Sequence, residues 1–266
     1  MFGRYRAPIL FGLMSLIWGL SWMATATGVR AIPPLFFAGS RFVVAGLLML
    51  ALHRARGGAL HIDNWPRLWL IALLSSALTN GLMFWAVQYL DSGIGAVMNM
   101  SLIPLLLLVV GVLYRQERFT ARGLGGIALG FVGLYLLFPP TGPRFADPQA
   151  LAGAAGIVIG TVCYAWGAIM ARPMLVAQPP MLLGGYIALL GGVILMPISL
   201  ALEPMTNLAR LFEPPILAAW LFMVLAASLI AYTAFLALLR DWGPARAGLY
   251  SYISPVIAVI AGALFL

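Results

Sequence analysis

The sequence predicts an all-α polytopic membrane protein made of two inverted five-helix repeats. Three observations carry this prediction. The chain is 63% hydrophobic and only 8% charged, whereas soluble domains have about 25% charged residues. Its apolar residues fall into nine runs, each close to the roughly 20 residues that a transmembrane helix needs. Motifs of the early runs also return in the later ones, which indicates a ten-helix design with nine spans present.

The nine apolar runs follow one another with short connections, and no soluble domain is present. Proline and glycine mark the turns between them. The first run has spanning length and many similar runs follow it, which favours a transmembrane helix over a cleavable signal peptide. The predicted spans are residues 8–28, 34–52, 67–90, 93–114, 121–138, 150–171, 181–202, 215–239 and 243–265.

The basic residues predict the orientation. All fifteen are arginines, and all but Arg41 can be placed at or beyond the ends of the runs. Short cytoplasmic loops collect positive charge, so this distribution is a topology signal and not the footprint of a nucleic-acid partner. We therefore expect a multi-pass protein with a cytoplasmic N-terminus. The cytoplasmic set is Arg4, Arg6, Arg54, Arg56, Arg67, Arg115, Arg118, Arg122, Arg172, Arg240 and Arg246, and the external set is Arg30, Arg144 and Arg210.

Motifs recur between the two halves of the chain. The Trp18-Gly19 pair of the first span returns as Trp166-Gly167 in the sixth. Five spans is an odd number, so the second copy must enter the membrane from the opposite side. We therefore divide the chain into inverted repeats at residues 1–142 and 143–266. At a constant offset of 146, Pro33-Pro34, Gly39 and Gly46 correspond to Pro179-Pro180, Gly185 and Gly192.

The second repeat is shorter than the first. After Pro104 the first half continues through an Arg-Gln-Glu-Arg motif, residues 115–118, into a fifth span. The second half stops at residue 266, which is 11 residues after Pro255. We expect that the tenth helix of the design is missing from this sequence, and a genuine nine-span protein is the alternative.

A proline lies mid-span in the fourth and ninth spans, at Pro104 and Pro255. A proline inside a helix removes a backbone hydrogen bond, so it is kept where polar groups or a cavity satisfy the freed carbonyl. Matched interrupted helices in two halves indicate a transporter's binding site. We predict that both prolines are hinges.

Arg41 is the only charge well inside a span. One interpretation is a cation that binds a substrate carboxylate. The other is a guanidinium that binds helix-end carbonyls or reaches the external surface, from about seven residues, or roughly 10 Å, inside. The sequence alone leaves both open.

Other polar and aromatic residues near mid-depth are candidates for the lining of a cavity. Trp18 and Trp166 are too deep for an interfacial belt, and their indole N–H groups need partners from a ligand or a neighbouring helix. Asn80 and Asn99 either bind substrate or hold helices together. The remaining predicted substrate-binding residues are Trp22, Phe84, Ser101, Tyr164, Tyr232, Tyr250 and Tyr252.

Catalytic and metal-binding patterns are absent from the sequence. There is no phosphate-cradling loop, no paired intramembrane carboxylate and no metal-ligand cluster, so we expect no enzyme activity, cofactor or metal. The single cysteine, Cys163, excludes an intrachain disulfide. All seven acidic residues fall at span ends or in loops, which favours a facilitator over a proton-coupled pump. The oligomeric state is not encoded in any pattern of this sequence.

The motifs together resemble the drug/metabolite transporter superfamily, in its EamA-like branch. They are Trp18-Gly19, Pro34 with Gly39-Ser40-Arg41-Phe42 and Ala45, the stretch from Ala96 to Pro104, and the Arg-Gln-Glu-Arg motif. The aromatic-rich spans are most similar to the YddG-type amino-acid exporters of bacterial inner membranes. The resemblance covers the whole chain, and the missing tenth helix is its one clear departure.

This resemblance implies ten helices around a central cavity, and export of amino acids, especially aromatic or neutral ones, and related metabolites. Alternating access of that cavity is the implied mechanism. Two alternatives stay open. One is export of another solute, such as a nucleoside, a sugar or a toxic cation, and the other is a structural membrane subunit that transports nothing.

Overall fold

The protein is built almost entirely from helices. The computed structural model describes residues 2–86, 88–90, 92–137 and 147–265, and within these ranges it contains no β-strand. Its long helices follow the predicted spans in order. They are α1 (Phe2–Val29), α2 (Pro34–Ala55), α3 (Trp65–Ala86), α4 (Ser92–Leu113), α5 (Ala121–Leu137), α6 (Pro148–Ala177), α7 (Pro180–Leu202), α8 (Pro214–Trp242) and α9 (Tyr250–Phe265), with short helices at Leu208–Phe212 and Pro244–Ala247.

The helices have the length and composition of membrane spans. Among the described residues, α1, α2, α3, α6, α7 and α8 are each long and apolar enough to cross a bilayer, and α4 and α5 contain shorter apolar stretches. The structure thus confirms the all-α polytopic fold. The predicted repeat boundary at residues 142/143, and the arginine at position 144, lie outside the described residues.

Helices α2 and α7 cross in close antiparallel contact, and the crossing is reciprocal. A Cβ atom on Gly46 of α2 would lie 2.7 Å from the carbonyl oxygen of Gly185 on α7. A Cβ atom on Gly192 of α7 would lie 2.8 Å from the carbonyl oxygen of Gly39 on α2. At the repeat offset of 146, Gly46 corresponds to Gly192 and Gly39 corresponds to Gly185. The repeat therefore converts the first of these contacts into the second. Such exchange of roles is what a twofold axis produces, so the two halves are related by an approximate twofold rotation.

The same rotation relates two further helix pairs. Helix α1 packs on α9, and α6 packs on α4. The Ser254 hydroxyl of α9 donates to the Ser15 carbonyl of α1 at 3.0 Å, and the Asn99 amide of α4 donates to the Thr161 hydroxyl of α6 at 2.9 Å. Each proline-containing helix is therefore held by the first helix of the opposite half.

The helix ends divide the molecule into two sides. Most described loop arginines lie at one side, where Arg67 of α3 donates to the Met170 carbonyl of α6 at 2.9 Å. We call this the arginine-rich side, and the other the arginine-poor side. At the arginine-poor side the Glu203 carboxylate accepts from the backbone amides of Leu35 and Phe36 at 2.7 and 3.0 Å. That contact caps the N-terminus of α2 with a negative charge, which interacts favourably with the dipole of the helix.

Candidate functional site

A cavity lies at mid-depth between the two halves. Its volume is about 160 Å³, several times the roughly 30 Å³ that a water molecule occupies in the liquid. Both halves contribute side chains to it, and most lie toward the arginine-poor side. The predicted residues that line it are Trp18, Trp22, Arg41, Asn80, Phe84, Asn99, Tyr164, Tyr232 and Tyr250.

Four aromatic rings line one side of this cavity and pack on Phe235 behind them. We call the five together the aromatic floor: Trp18, Tyr164, Tyr232, Phe235 and Tyr250. Phe235 lies at the centre and its ring centroid is 5.5 to 6.3 Å from the other four. Trp18 and Tyr250 meet edge to face at 4.5 Å. Pairs with this geometry stabilise each other by about 0.5–1.5 kcal/mol beyond burial, so the floor is a firm surface on which a planar apolar group can stack.

The polar atoms of the floor are satisfied within the protein. The Trp18 indole N–H donates to the Ala227 carbonyl of α8 at 3.1 Å. The Tyr250 hydroxyl donates to the Tyr164 hydroxyl at 3.3 Å. These contacts tie α1 to α8 and α6 to α9, and they leave the ring faces as the groups presented to a ligand.

Arg41 brings a positive charge to the cavity. Its side chain is only 5% exposed, and its Nη2 donates to the Asn80 Oδ1 of α3 at 3.0 Å. The guanidinium also lies over the rings of Phe42 and Phe84, at 4.4 and 5.4 Å from their centroids. Its Nε is buried without a hydrogen-bond partner. The guanidinium is directed at the cavity side of α3, which contradicts the alternative in which Arg41 reaches for the external surface.

Asn80 and Asn99 hold helices together, which is one of the two roles that the sequence left open. Asn80 accepts from Arg41 and donates to the Ser76 carbonyl at 2.9 Å. Asn99 donates to Thr161, which in turn donates to the Ile157 carbonyl at 2.7 Å. Each amide holds helices together and also lines the cavity.

Matching π-helical segments border the cavity in both halves. They are Leu73–Leu78 in α3 and Met223–Ala231 in α8. In each, a hydroxyl donates to the carbonyl five residues earlier: Thr79 to Leu74 at 2.8 Å and Ser228 to Met223 at 2.9 Å. Such segments recur at functional sites in helical proteins. No pattern in the sequence predicted them.

The arginine-rich side of the cavity is closed by polar contacts at the end of α4. Gln116 donates to the Ile169 carbonyl of α6 at 2.9 Å, and Arg172 of α6 donates back to the Gln116 carbonyl at 3.2 Å. The Glu117 carboxylate accepts from the Ala245 amide at 3.3 Å. We call these contacts the clasp. Fully buried apolar residues between floor and clasp are Leu107, Ile169, Leu239 and Ala247.

Three predicted residues are not brought to the cavity, and each comes two residues after one that is. Ser101 is buried in α4 at 4% exposure. Two residues along an α-helix is a rotation of about 200°, since there are 3.6 residues per turn. Two such neighbours therefore face opposite directions. The pairs are Asn99 and Ser101, Tyr164 and Trp166, and Tyr250 and Tyr252.

The other two misplaced residues serve as packing contacts. Trp166 is 38% exposed and donates to the Tyr114 hydroxyl at 2.7 Å. Tyr252 donates to the Ile127 carbonyl of α5 at 3.2 Å. Its ring occupies the space above Gly130, where a Cβ atom would overlap it. The structure thus corrects the assignment of both as substrate-binding residues.

The sequence profile of one transporter family matches the chain twice, at residues 6–138 and 151–266. The chain belongs to the EamA-like transporter family. This confirms the drug/metabolite transporter superfamily that the repeated motifs indicated, and it makes the protein a membrane transporter. The EamA-like chain thus carries its cavity at the junction of two family units.

Relatives share the sequence across most of its length. The uncharacterized inner membrane transporter YedA of Escherichia coli strain K12 is 34% identical over 97% of this chain and 83% of its own. Protein PecM of Dickeya dadantii is 26% identical over 94% of this chain and 81% of its own. A solved crystal structure superimposes with a TM-score of 0.81 over 98% of this chain and 89% of that one. Its sequence identity of 18% means that this likeness shows the fold alone.

Proposed function

We propose that this EamA-like protein exports amino acids, aromatic or neutral, and related small metabolites by alternating access. The observation that carries the proposal is the position of Arg41. It supplies a buried positive charge beside an aromatic floor, and among the described residues that line the cavity there is no carboxylate. A molecule with an anionic end and an apolar planar end complements both features.

The carboxylate is assigned to Arg41. Guanidinium groups bind carboxylates through charge-assisted hydrogen bonds, often two in parallel. The Nη2 of Arg41 donates to Asn80, whereas its Nε has no hydrogen-bond partner. The substrate side chain is assigned to the aromatic floor, where Trp18 and Tyr250 offer stacking surfaces. Such a division into one polar anchor and one apolar surface is typical of small-molecule sites.

The transport cycle is assigned to rocking of the two halves. We place the arginine-rich side in the cytoplasm of a bacterial cell, in the inner membrane, with the N-terminus inside. The clasp then closes the cytoplasmic entrance, and the cavity faces outward. Pro104 and Pro255 are both buried, and a Cβ atom on Gly248 would lie 3.5 Å from the Cα of Pro104. A bend at Pro104 is therefore transmitted directly to the start of α9 and to Tyr250.

The driving force is assigned to the substrate gradient. Proton-coupled transport uses a carboxylate or histidine inside the membrane. In the described part of the cavity the only ionisable groups are Arg41 and the three tyrosines of the floor. The protein is thus proposed to be a facilitator.

Transport by the purified protein in proteoliposomes tests the proposal. Vesicles loaded with unlabelled phenylalanine should accumulate labelled phenylalanine by counterflow, and an imposed proton gradient should leave the initial rate unchanged. Protein-free vesicles are the control. A panel of a nucleoside, a sugar and a quaternary cation should give no counterflow. Transport of one of these in place of amino acids would refute the substrate class, and no transport of any solute would favour a structural subunit.

The two repeat-related tryptophans should differ in this assay. Trp18→Phe removes the donor to the Ala227 carbonyl and loosens the floor, so we expect counterflow to fall about fivefold, the equivalent of one net hydrogen bond of about 1 kcal/mol. Trp166→Phe changes the same atoms outside the cavity and should stay within twofold of the parent. Equal losses in both variants would contradict the site as assigned.

A further inference from the structure

A second crevice lies on the arginine-rich side, away from the central cavity. It runs between α1, α2, α7 and α8 and has a volume of about 500 Å³. Its wall along α8 extends from Leu229 to Ala237, which is nine residues, or about 12 Å of helix. Apart from Thr233 that wall is apolar, and Ile230 on it is 45% exposed. The crevice is therefore a largely apolar groove that begins at the level of the helix ends.

The mouth of this crevice is basic. Arg6 of α1, and His53 and Arg56 of α2, line it. Arg56 donates to the Met181 sulfur at 3.8 Å, and a thioether is a weak acceptor.

The carboxylates near these basic groups have other hydrogen-bond partners. At this side of the described chain, Asp63 bonds to His61, Asp241 to Arg240, and Glu117 to the Ala245 amide. His53 Nε2 lies 3.2 Å from the Ala59 carbonyl oxygen, so Arg6 and Arg56 are the groups left to bind an anion from outside the chain.

A crevice on the other side of the molecule provides a comparison. It has a volume of about 460 Å³, and its lining includes Arg30, Pro33, Leu202 and Glu203. At the repeat offset of 146, Arg56 corresponds to Leu202. An arginine at this position is therefore not needed to form a crevice of this kind.

We propose that the arginine-rich crevice is a binding site for an anionic phospholipid. Its phosphodiester lies at Arg6 and Arg56, and one acyl chain runs along the α8 wall from Ala237 to Leu229. Basic pockets between transmembrane helices bind anionic headgroups in this way. A bound lipid there touches α1 and α2 of one half and α7 and α8 of the other, so it bridges the two halves of the transporter. The proposal does not depend on the identity of the transported solute.

Native mass spectrometry of the purified chain in detergent tests this site. The probes are phosphatidylglycerol and phosphatidylcholine with the same acyl chains, each titrated against the protein. Phosphatidylglycerol should bind at least tenfold more tightly. In the double variant Arg6→Gln/Arg56→Gln this preference should disappear. The matched control is Arg54→Gln/Arg118→Gln, which removes two exposed arginines outside the crevice and should keep the preference.

Three results would overturn the proposal. They are equal binding of the two lipids to the parent protein, an unchanged preference in Arg6→Gln/Arg56→Gln, and displacement of the lipid by an equimolar amount of glycerol phosphate, which has the anionic group without the acyl chains. Thermal unfolding of each variant in detergent checks the fold. Failure of amino-acid counterflow with intact lipid preference would refute the proposed substrate and leave the lipid site standing.

Discussion

Arg41→Gln should lower amino-acid counterflow at least tenfold. A hydrogen bond to a charged group contributes about 1.5–3 kcal/mol, and 1.4 kcal/mol is a factor of ten in binding. The loss of one charged contact to the substrate carboxylate therefore suffices for this effect. Arg41→Lys keeps the charge but not the planar fork of donors, so its activity should lie between those of the parent and the glutamine variant. Initial rates in loaded proteoliposomes measure both.

The control for Arg41→Gln is Arg30→Gln. It removes one positive charge from the exposed end of α1 on the arginine-poor side, and it should leave counterflow within twofold of the parent. Normal transport of carboxylate solutes by Arg41→Gln would rule out Arg41 as their anchor. Gain of cation transport by the same variant would mean that Arg41 excludes cations from the cavity by repulsion, which would argue against the toxic-cation alternative for the parent protein.

The polar part of the site was predictable because the bilayer makes polar groups costly. Arg41, Asn80 and Asn99 each needed a reason to lie mid-span, and all three line the cavity. The assignments of Ser101, Trp166 and Tyr252 to the cavity did not take helix rotation into account. Once Tyr164 was placed at the cavity, the 100° step per residue already excluded Trp166 from the same face. The repeat equivalence of Trp166 and Trp18 was the weaker guide, because the two halves are only approximately symmetric.

Other features of the site had no local signal in the sequence. Phe235 is one apolar residue in an apolar span, and only its ring contacts in the folded protein place it at the centre of the floor. The π-helical segments depend on one extra residue per turn, which tertiary packing imposes. The clasp uses the carbonyl of Ile169 as an acceptor, and an apolar residue gives no hint that its backbone will be bound by a distant side chain.

Gly46→Val should destabilise the protein strongly. A Cβ atom at position 46 would lie 2.5 Å from the Leu189 nitrogen and 2.7 Å from the Gly185 oxygen, and both are backbone atoms that have no rotamer to relieve the overlap. Overpacking of this kind costs about 1–3 kcal/mol, and roughly 2–4 °C of melting temperature per kcal/mol for a chain of this size. Thermal unfolding in detergent should therefore show a drop of several degrees.

The inverted repeat also predicts the effect of the corresponding substitution on α7. Gly192→Val meets the backbone of Val43 and Gly39 at 2.7 and 2.8 Å, so it should lower the melting temperature about as much as Gly46→Val. Gly125→Val is the matched control on α5, where a Cβ atom meets nothing within 4 Å, and its midpoint should change little. A large drop in only one of the two crossing variants would mean that the α2 and α7 contact is not reciprocal. The approximate twofold rotation, and with it a cavity shared equally by two opposed halves, would then be wrong.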